Sequence, residues 1–135
     1  MTERTLTLAL MDPPYESANS TTAFRIIRAA LDQGINVNVF AYEGAVCLSL
    51  KDQAPHANPV KGTSIDEEEH PTTKAFVSSL LAMGDHKPRL TWVNCGLCVD
   101  ERGAANAVEG VRRGSPADFF RMASESTNTL VIPTK

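Results

Sequence analysis

Along the chain, segments in which apolar residues recur at the spacing of a β-strand take turns with segments in which they recur at the spacing of an α-helix. Residues 5–11 alternate and put Leu6, Leu8 and Leu10 on one side, which is typical of a β-strand. Similar patterns predict further strands near residues 36–42, 90–94 and 129–132, and helices near residues 21–33, 71–83 and 116–126. A strand, a helix and a strand in this order favour parallel strands joined by a right-handed crossover. The sequence therefore predicts an α/β fold, a three-layer sandwich on a mostly parallel sheet, as a single domain over residues 1–135.

The starts of the predicted helices carry capping residues. Hydroxyl side chains at residues 20–22 predict the N-cap of the first helix, and Pro71 suits the first turn of the second. Ser115, Pro116 and Asp118 have the spacing of a capping box with proline at the first helical position, and they predict the start of the last helix.

Three stretches have weaker patterns. Residues 43–50 are short and apolar and favour one or two helical turns, whereas the alanines of residues 104–108 indicate a short helix. Residues 51–69 contain proline, glycine and an acidic run, and they predict a long mobile loop that covers a site or docks a partner. In the last helix, Phe119 and Phe120 are expected to face the core.

Composition removes several classes of function. The net charge of −3 argues against a general nucleic-acid or anionic-membrane surface, because such surfaces are basic. No window approaches about 18 apolar residues, so no membrane span is predicted. An odd number of cysteines, three, without an export signal predicts a reducing cytoplasmic location.

The candidate chemistry lies in a Cys-x-x-Cys sequence that directly follows the strand near residues 90–94. Cys95 stands at the carboxyl end of that strand, where ligands bind in open α/β folds. A thiolate at this place is a nucleophile that helix N–H groups and Arg102 would activate. Two other interpretations stay open: Cys95 and Cys98 are buried and inert, or they form half a zinc site. Zinc takes four ligands, and Cys47 with one of the three histidines could complete the set only by coincidence of folding, so no metal is predicted.

Three further residues are weaker candidates. Asp12 and Tyr15 follow the first strand and so lie on the same edge of the sheet as Cys95, either lining its pocket or forming a plain turn. Cys47 is either a small buried hydrophobe or a third thiol near the same strand ends.

These segments together resemble the DsrE/DsrF/TusD family of small sulfur-carrying proteins over nearly the whole chain. The resemblance is carried by residues 8–15, 38–40, 44–46, 93–103, 110–118 and 130–132. It implies a DsrE-like fold and a persulfide mechanism without metal or organic cofactor. Cys95, followed at the family's spacing by Arg102 and Gly103, matches the sulfur-carrying cysteine, and Cys98 is a second acceptor or a resolving thiol.

The resemblance also implies partners. Family members form homotrimers, hexamers or hetero-oligomers with sister subunits, and they exchange sulfur with donor and acceptor proteins in tRNA thiolation or sulfur oxidation. Two alternatives from other classes remain open: a non-enzymatic module that binds a small ligand at the strand ends, and a dithiol redox sensor that uses Cys95 and Cys98.

Overall fold

The structure is a computed structural model that describes residues 3–55, 57, 62, 64 and 72–134. Its strands are β1 (Thr5–Leu10), β2 (Asn36–Ala41), β3 (Leu90–Cys95), β4 (Val111–Gly114) and β5 (Asn128–Ile132). Its α-helices are α1 (Asn19–Asp32), α2 (Thr73–Met83), α3 (Gly96–Arg102) and α4 (Pro116–Glu125), and Glu43–Ser49 forms a 3-10 helix. No helix among the described residues is long and apolar enough to cross a membrane.

The five strands form one parallel sheet in the order β4-β3-β2-β1-β5. The predicted parallel sheet is therefore confirmed. Because all strands run the same way, their carboxyl ends meet at one edge, and β3 has β2 and β4 as its neighbours there.

Helices cover both faces of the sheet. On one face, the ring of Phe24 in α1 stacks on Phe76 of α2 at 5.3 Å and lies 6.4 Å from the ring of the fully buried Trp92. On the other face, Phe119 of α4 stacks on Phe40 of β2 at 5.6 Å. The two apolar layers are what make the fold a three-layer sandwich.

The helix predicted over residues 104–108 is wrong. Ala107 instead pairs with Leu50 in an isolated antiparallel bridge, and the chain then forms β4 beside β3. The alanines favour a helix by propensity, but tertiary pairing of the backbone overrides that preference. β4 escaped prediction because its sequence, Val-Arg-Arg-Gly, lacks an apolar alternation.

Two details of the helices also differ from prediction. The α1 helix begins at Asn19, before the predicted caps at residues 20–22, and Ser17 Oγ accepts a hydrogen bond from the Asn19 N–H at 3.1 Å. Phe120 was expected to face the core but is 69% exposed, and Met122 is the buried residue of α4. Pro71 and most of the predicted loop over residues 51–69 lie outside the described residues.

The capping box at the start of α4 is confirmed. Pro116 occupies the first turn, and the Ser115 N–H donates to Asp118 Oδ2 at 2.8 Å. This hydrogen bond, followed by the one from Arg121, holds the pKa of Asp118 below its usual value of 3.8.

The Asp118→Ala variant is expected to melt at a lower temperature than the unchanged chain at pH 7, and the difference should shrink at pH 3. The folded carboxyl has the lower pKa, so its stabilisation is present above the unfolded value and is lost as pH falls through the folded one. Thermal melts at both pH values measure this. Asp118→Asn keeps an acceptor for the Ser115 N–H and should retain most of the stability at pH 7; equal losses for both variants would contradict the capping role.

Candidate functional site

The two cysteines of the Cys-x-x-Cys sequence lie where β3 passes directly into α3. Cys95 is the last residue of β3 and the N-cap of α3, and its side chain makes no capping hydrogen bond to the helix. Both cysteines are buried, Cys95 at 2% and Cys98 at 7% exposure. Only Gly96 and Leu97 separate them in the chain, so their thiols lie close enough to interact with each other.

The sulfur of Cys98 is held by the end of the neighbouring strand. The backbone N–H of Glu43 donates to Cys98 Sγ at 3.1 Å. Glu43 is the second residue after β2 and adopts φ of 52°, a left-handed conformation that is uncommon for residues other than glycine. Glu43 thus adopts an uncommon backbone conformation next to the sulfur of Cys98. Strained backbone of this kind is concentrated at functional sites.

The environment of Cys98 disfavours its thiolate. Burial raises the pKa of Cys98 above its ordinary value of 9.0, and the hydrogen bond with Cys95 raises it further. The Glu43 N–H lowers this pKa, negative charge on Cys95 raises it, and the charge of Arg102 lowers it. For Cys98 the Glu43 N–H and Arg102 do lower the pKa, but desolvation is the largest effect and the net shift is upward.

Arg102 stands at the end of α3 and contacts the backbone near the thiols. Its Nη1 donates to the carbonyl oxygen of Cys98 at 3.5 Å, and its guanidinium lies 3.8 Å from Glu43 Oε2 and 3.6 Å from Glu101 Oε2. Gly103 closes α3 with φ of 59°, a left-handed C-cap that glycine adopts without strain. The Arg102-Gly103 pair thus ends the helix that carries Cys98.

Asp12 and Tyr15 lie in a different environment, in the connection between β1 and α1. The buried carboxylate of Asp12 accepts hydrogen bonds from Ser17 Oγ and, at 3.1 Å, from Asn19 Nδ2. Tyr15 lines a cavity of about 260 Å³ between α1 and α2 together with Phe24 and Phe76. Asp12 therefore organises the start of α1, and Tyr15 faces the α1–α2 groove.

Cys47 lies on the 3-10 helix, where it is partly buried and packs against the core. Within the described residues, no three His, Cys, Asp or Glu side chains are grouped so that they could hold a metal ion. All three cysteines are free.

Sequence reasoning missed two charged residues near the thiols, Arg113 beside Cys95 and Glu43 beside Cys98. Arg113 of β4 pairs bidentately with Asp100 of α3, with Nη1–Oδ1 and Nη2–Oδ2 distances of 2.9 and 2.6 Å. Glu43 was also missed. Glu43 directly follows the strand predicted over residues 36–42, so its place at the same edge of the sheet could have been predicted. The place of Arg113 could not, because β4 was not predicted.

Chemically, the site is a buried dithiol at the carboxyl edge of a parallel sheet. One thiol is the terminal residue of a strand, and the other lies on the following helix within reach of the first. Such a pair can attack an S–S bond, carry a sulfur atom, or close to a disulfide.

Comparisons with known proteins bear on the family and the fold. The sequence model of the DsrE/DsrF-like family matches residues 5–132. An uncharacterized protein of Methanocaldococcus jannaschii is 25% identical over 128 residues, which cover 93% of this chain and 97% of that protein. An uncharacterized protein of Methanopyrus kandleri is 25% identical over 127 residues, covering 93% and 91% of the two chains.

The crystal structure of the YchN protein from E. coli shares the fold. It superposes with a TM-score of 0.76 at 18% sequence identity, covering 95% of this chain and 98% of that one. The predicted α/β sandwich of DsrE-like type is thereby confirmed.

We expect Cys98 to react more readily with an alkylating agent at pH 8 when Cys95 is replaced by alanine. The substitution removes the hydrogen bond and the negative charge by which Cys95 raises the pKa of Cys98, while burial remains. Iodoacetamide labelling followed by peptide mass spectrometry measures the rate. The matched control is Cys47→Ala, which should leave the rate at Cys98 unchanged; an unchanged rate in Cys95→Ala would contradict the thiol–thiol contact.

Proposed function

Because this chain belongs to the DsrE/DsrF-like family, we propose that it is a sulfur carrier of the relay type that loads sulfane sulfur as a persulfide on Cys95. The observation that supports this most is the contact between the two buried thiols at the carboxyl end of β3. The three free cysteines fit the reducing, cytoplasmic setting that the proposal assumes.

The loading step conserves electrons overall. The Cys95 thiolate attacks the outer sulfur of a donor persulfide, R–S–SH. A new S–S bond forms on Cys95 while the donor's S–S bond breaks, and the donor leaves as R–S⁻, which takes up a proton. Delivery is the same exchange in reverse, with the thiolate of an acceptor protein attacking the outer sulfur and Cys95 leaving as thiolate.

Cys98 has a resolving role in this proposal. Its thiol contacts Cys95 and is kept protonated by burial, so it does not compete for the incoming sulfur at neutral pH. When it ionises, it can attack the inner sulfur of the Cys95 persulfide, which gives a Cys95–Cys98 disulfide and releases HS⁻.

A dithiol redox pair is the second candidate, and the same thiol contact favours it. Incubation with polysulfide followed by intact mass separates the functions. A gain of about 32 Da indicates a carrier, a loss of about 2 Da indicates a disulfide, and an unchanged mass indicates a binding module without thiol chemistry.

The proposal includes assembly of the chain with copies of itself. Phe120, Leu130 and Val131 of α4 and β5 are exposed at 69%, 42% and 53%. β5 is also an edge strand with an unpaired backbone side, which sheets usually cover. We infer a closed homo-oligomer, a trimer or hexamer as in the family, that covers this edge.

Replacing Cys95 by serine is expected to abolish persulfide loading, because the attacking sulfur is lost. Cys98→Ser should still load and should hold the persulfide longer, because the resolving thiol is absent. Cys47→Ser is the matched control and should load normally. Intact mass after polysulfide treatment measures all three. Loading retained in both Cys95→Ser and Cys98→Ser would end the carrier proposal, and loading lost only in Cys98→Ser would reverse the two roles.

Light scattering at micromolar concentration is expected to give the mass of an oligomer. Val131→Lys should shift it towards the monomer, because a charge is introduced on the exposed edge strand. Ser79→Lys, on an exposed part of α2, is the control and should leave the mass unchanged. A monomer mass for the unchanged chain would rule out the assembly.

A further inference from the structure

The guanidinium of Arg113 lies across the first residue of α3, next to Cys95. Arg113 is paired in register with Asn94, the residue before Cys95. Its side chain runs so close over Gly96 that a Cβ at that glycine would stand 2.8 Å from Arg113 Nε. Residue 96 therefore has to be glycine for Arg113 to reach this place.

Asp100 fixes the orientation of that guanidinium. Both carboxylate oxygens accept hydrogen bonds from Arg113, and this fork holds the charged group against the helix turn that begins at Cys95. The hydrogen bond with Asp100 raises the pKa of Arg113 most, and negative charge on Cys95 also raises it. The guanidinium is thus held against the residue that directly follows Cys95, within range of a charge on that side chain.

Arg102 is placed less well than Arg113 to interact with the sulfur of Cys95. Its guanidinium is shared between two carboxylates, of Glu43 and Glu101, and its hydrogen bond goes to the carbonyl oxygen of Cys98. The cation that the sequence suggested for activation therefore contacts Cys98, whereas Arg113 contacts Gly96, the residue directly after Cys95.

We propose that Arg113 stabilises the negative charge on the Cys95 sulfur and that Asp100 is the positioning residue that aims it there. The effect of Arg113 on the Cys95 thiolate does not depend on the function proposed above. Stabilisation of a persulfide anion on Cys95 by the same charge does depend on it. Arginine suits this place better than lysine, because its planar fork meets Asp100 with two bonds while the charge remains delocalised towards Cys95.

The test uses the double variant C47S/C98S, in which Cys95 is the one remaining cysteine of three. Iodoacetamide alkylation is timed at about pH 7 and at about pH 10.5, which lie on either side of the ordinary thiol pKa of about 8.5. Arg113→Gln is expected to slow alkylation about three- to tenfold at the lower pH. The Arg113 side chain is 55% exposed, so water screens its charge, and the interaction of unit charges a few ångströms apart in water changes an equilibrium by only roughly fivefold. At the higher pH the alkylation rates of Arg113→Gln and of its parent should be equal.

Two more variants separate charge from packing. Arg113→Lys keeps the charge and should recover part of the rate at pH 7. Arg28→Gln makes the same change on α1, where the arginine is likewise near a carboxylate, that of Asp32, and it should leave the rate unchanged. Circular dichroism at both pH values shows whether each variant is folded.

The outcomes are distinct. Equal rates for Arg113→Gln and its parent at pH 7, equal slowing at both pH values, or no recovery in Arg113→Lys would each overturn the role of Arg113. Polysulfide loading of the unchanged chain is measured separately, so a chain that loads sulfur but ignores Arg113→Gln refutes this inference alone. A chain that responds to Arg113→Gln but never gains sulfur refutes the carrier function alone.

Discussion

The side-chain amide of Asn94 connects the sheet to the 3-10 helix inside the protein, and the arrangement around the thiols depends on this connection. Asn94 is 2% exposed; its Nδ2 donates to Ser49 Oγ at 3.2 Å and to the Val46 carbonyl at 3.5 Å, and its Oδ1 accepts from Trp92 Nε1 at 3.2 Å. A buried amide left without partners is strongly destabilising, so these bonds fix the 3-10 helix relative to β3. The same helix begins at Glu43, whose N–H is thereby held at Cys98.

Burial of the two sulfur atoms has opposing chemical effects. It keeps water and free thiols away from a bound persulfide, but it disfavours the thiolate that must form before sulfur can be accepted. The raised pKa of Cys98 shows the second effect directly. A site of this kind therefore needs positive charge or N–H donors directed at the thiol that ionises, and the residues that supply them come from neighbouring strand ends rather than from the Cys-x-x-Cys sequence itself.

Local patterns predicted those parts of the structure that local sequence determines. The strand that ends at Cys95 and the capping box at Ser115 both depend on residues close together in the chain, and both are present. β4 could not be predicted, because its backbone is placed by pairing with β3 and by the bridge between Leu50 and Ala107. Phe120 follows the apolar spacing of a core residue, yet α4 turns Met122 inward, since the crossing of helix and sheet decides which side is covered.

The order of the strands explains why the candidate site differs from the one that the sequence suggested. Asp12 and Cys95 both follow a strand of one parallel sheet, so both lie at the same edge, but β2 separates their strands. Adjacent strands lie about 4.8 Å apart, which places the end of β1 at roughly twice that distance from β3. The residues near the two thiols must instead come from β4 and from the chain that follows β2: Arg113 lies against Gly96, and the Glu43 N–H contacts Cys98. A sequence shows which residues end strands, whereas the order of strands in the sheet determines which of them meet.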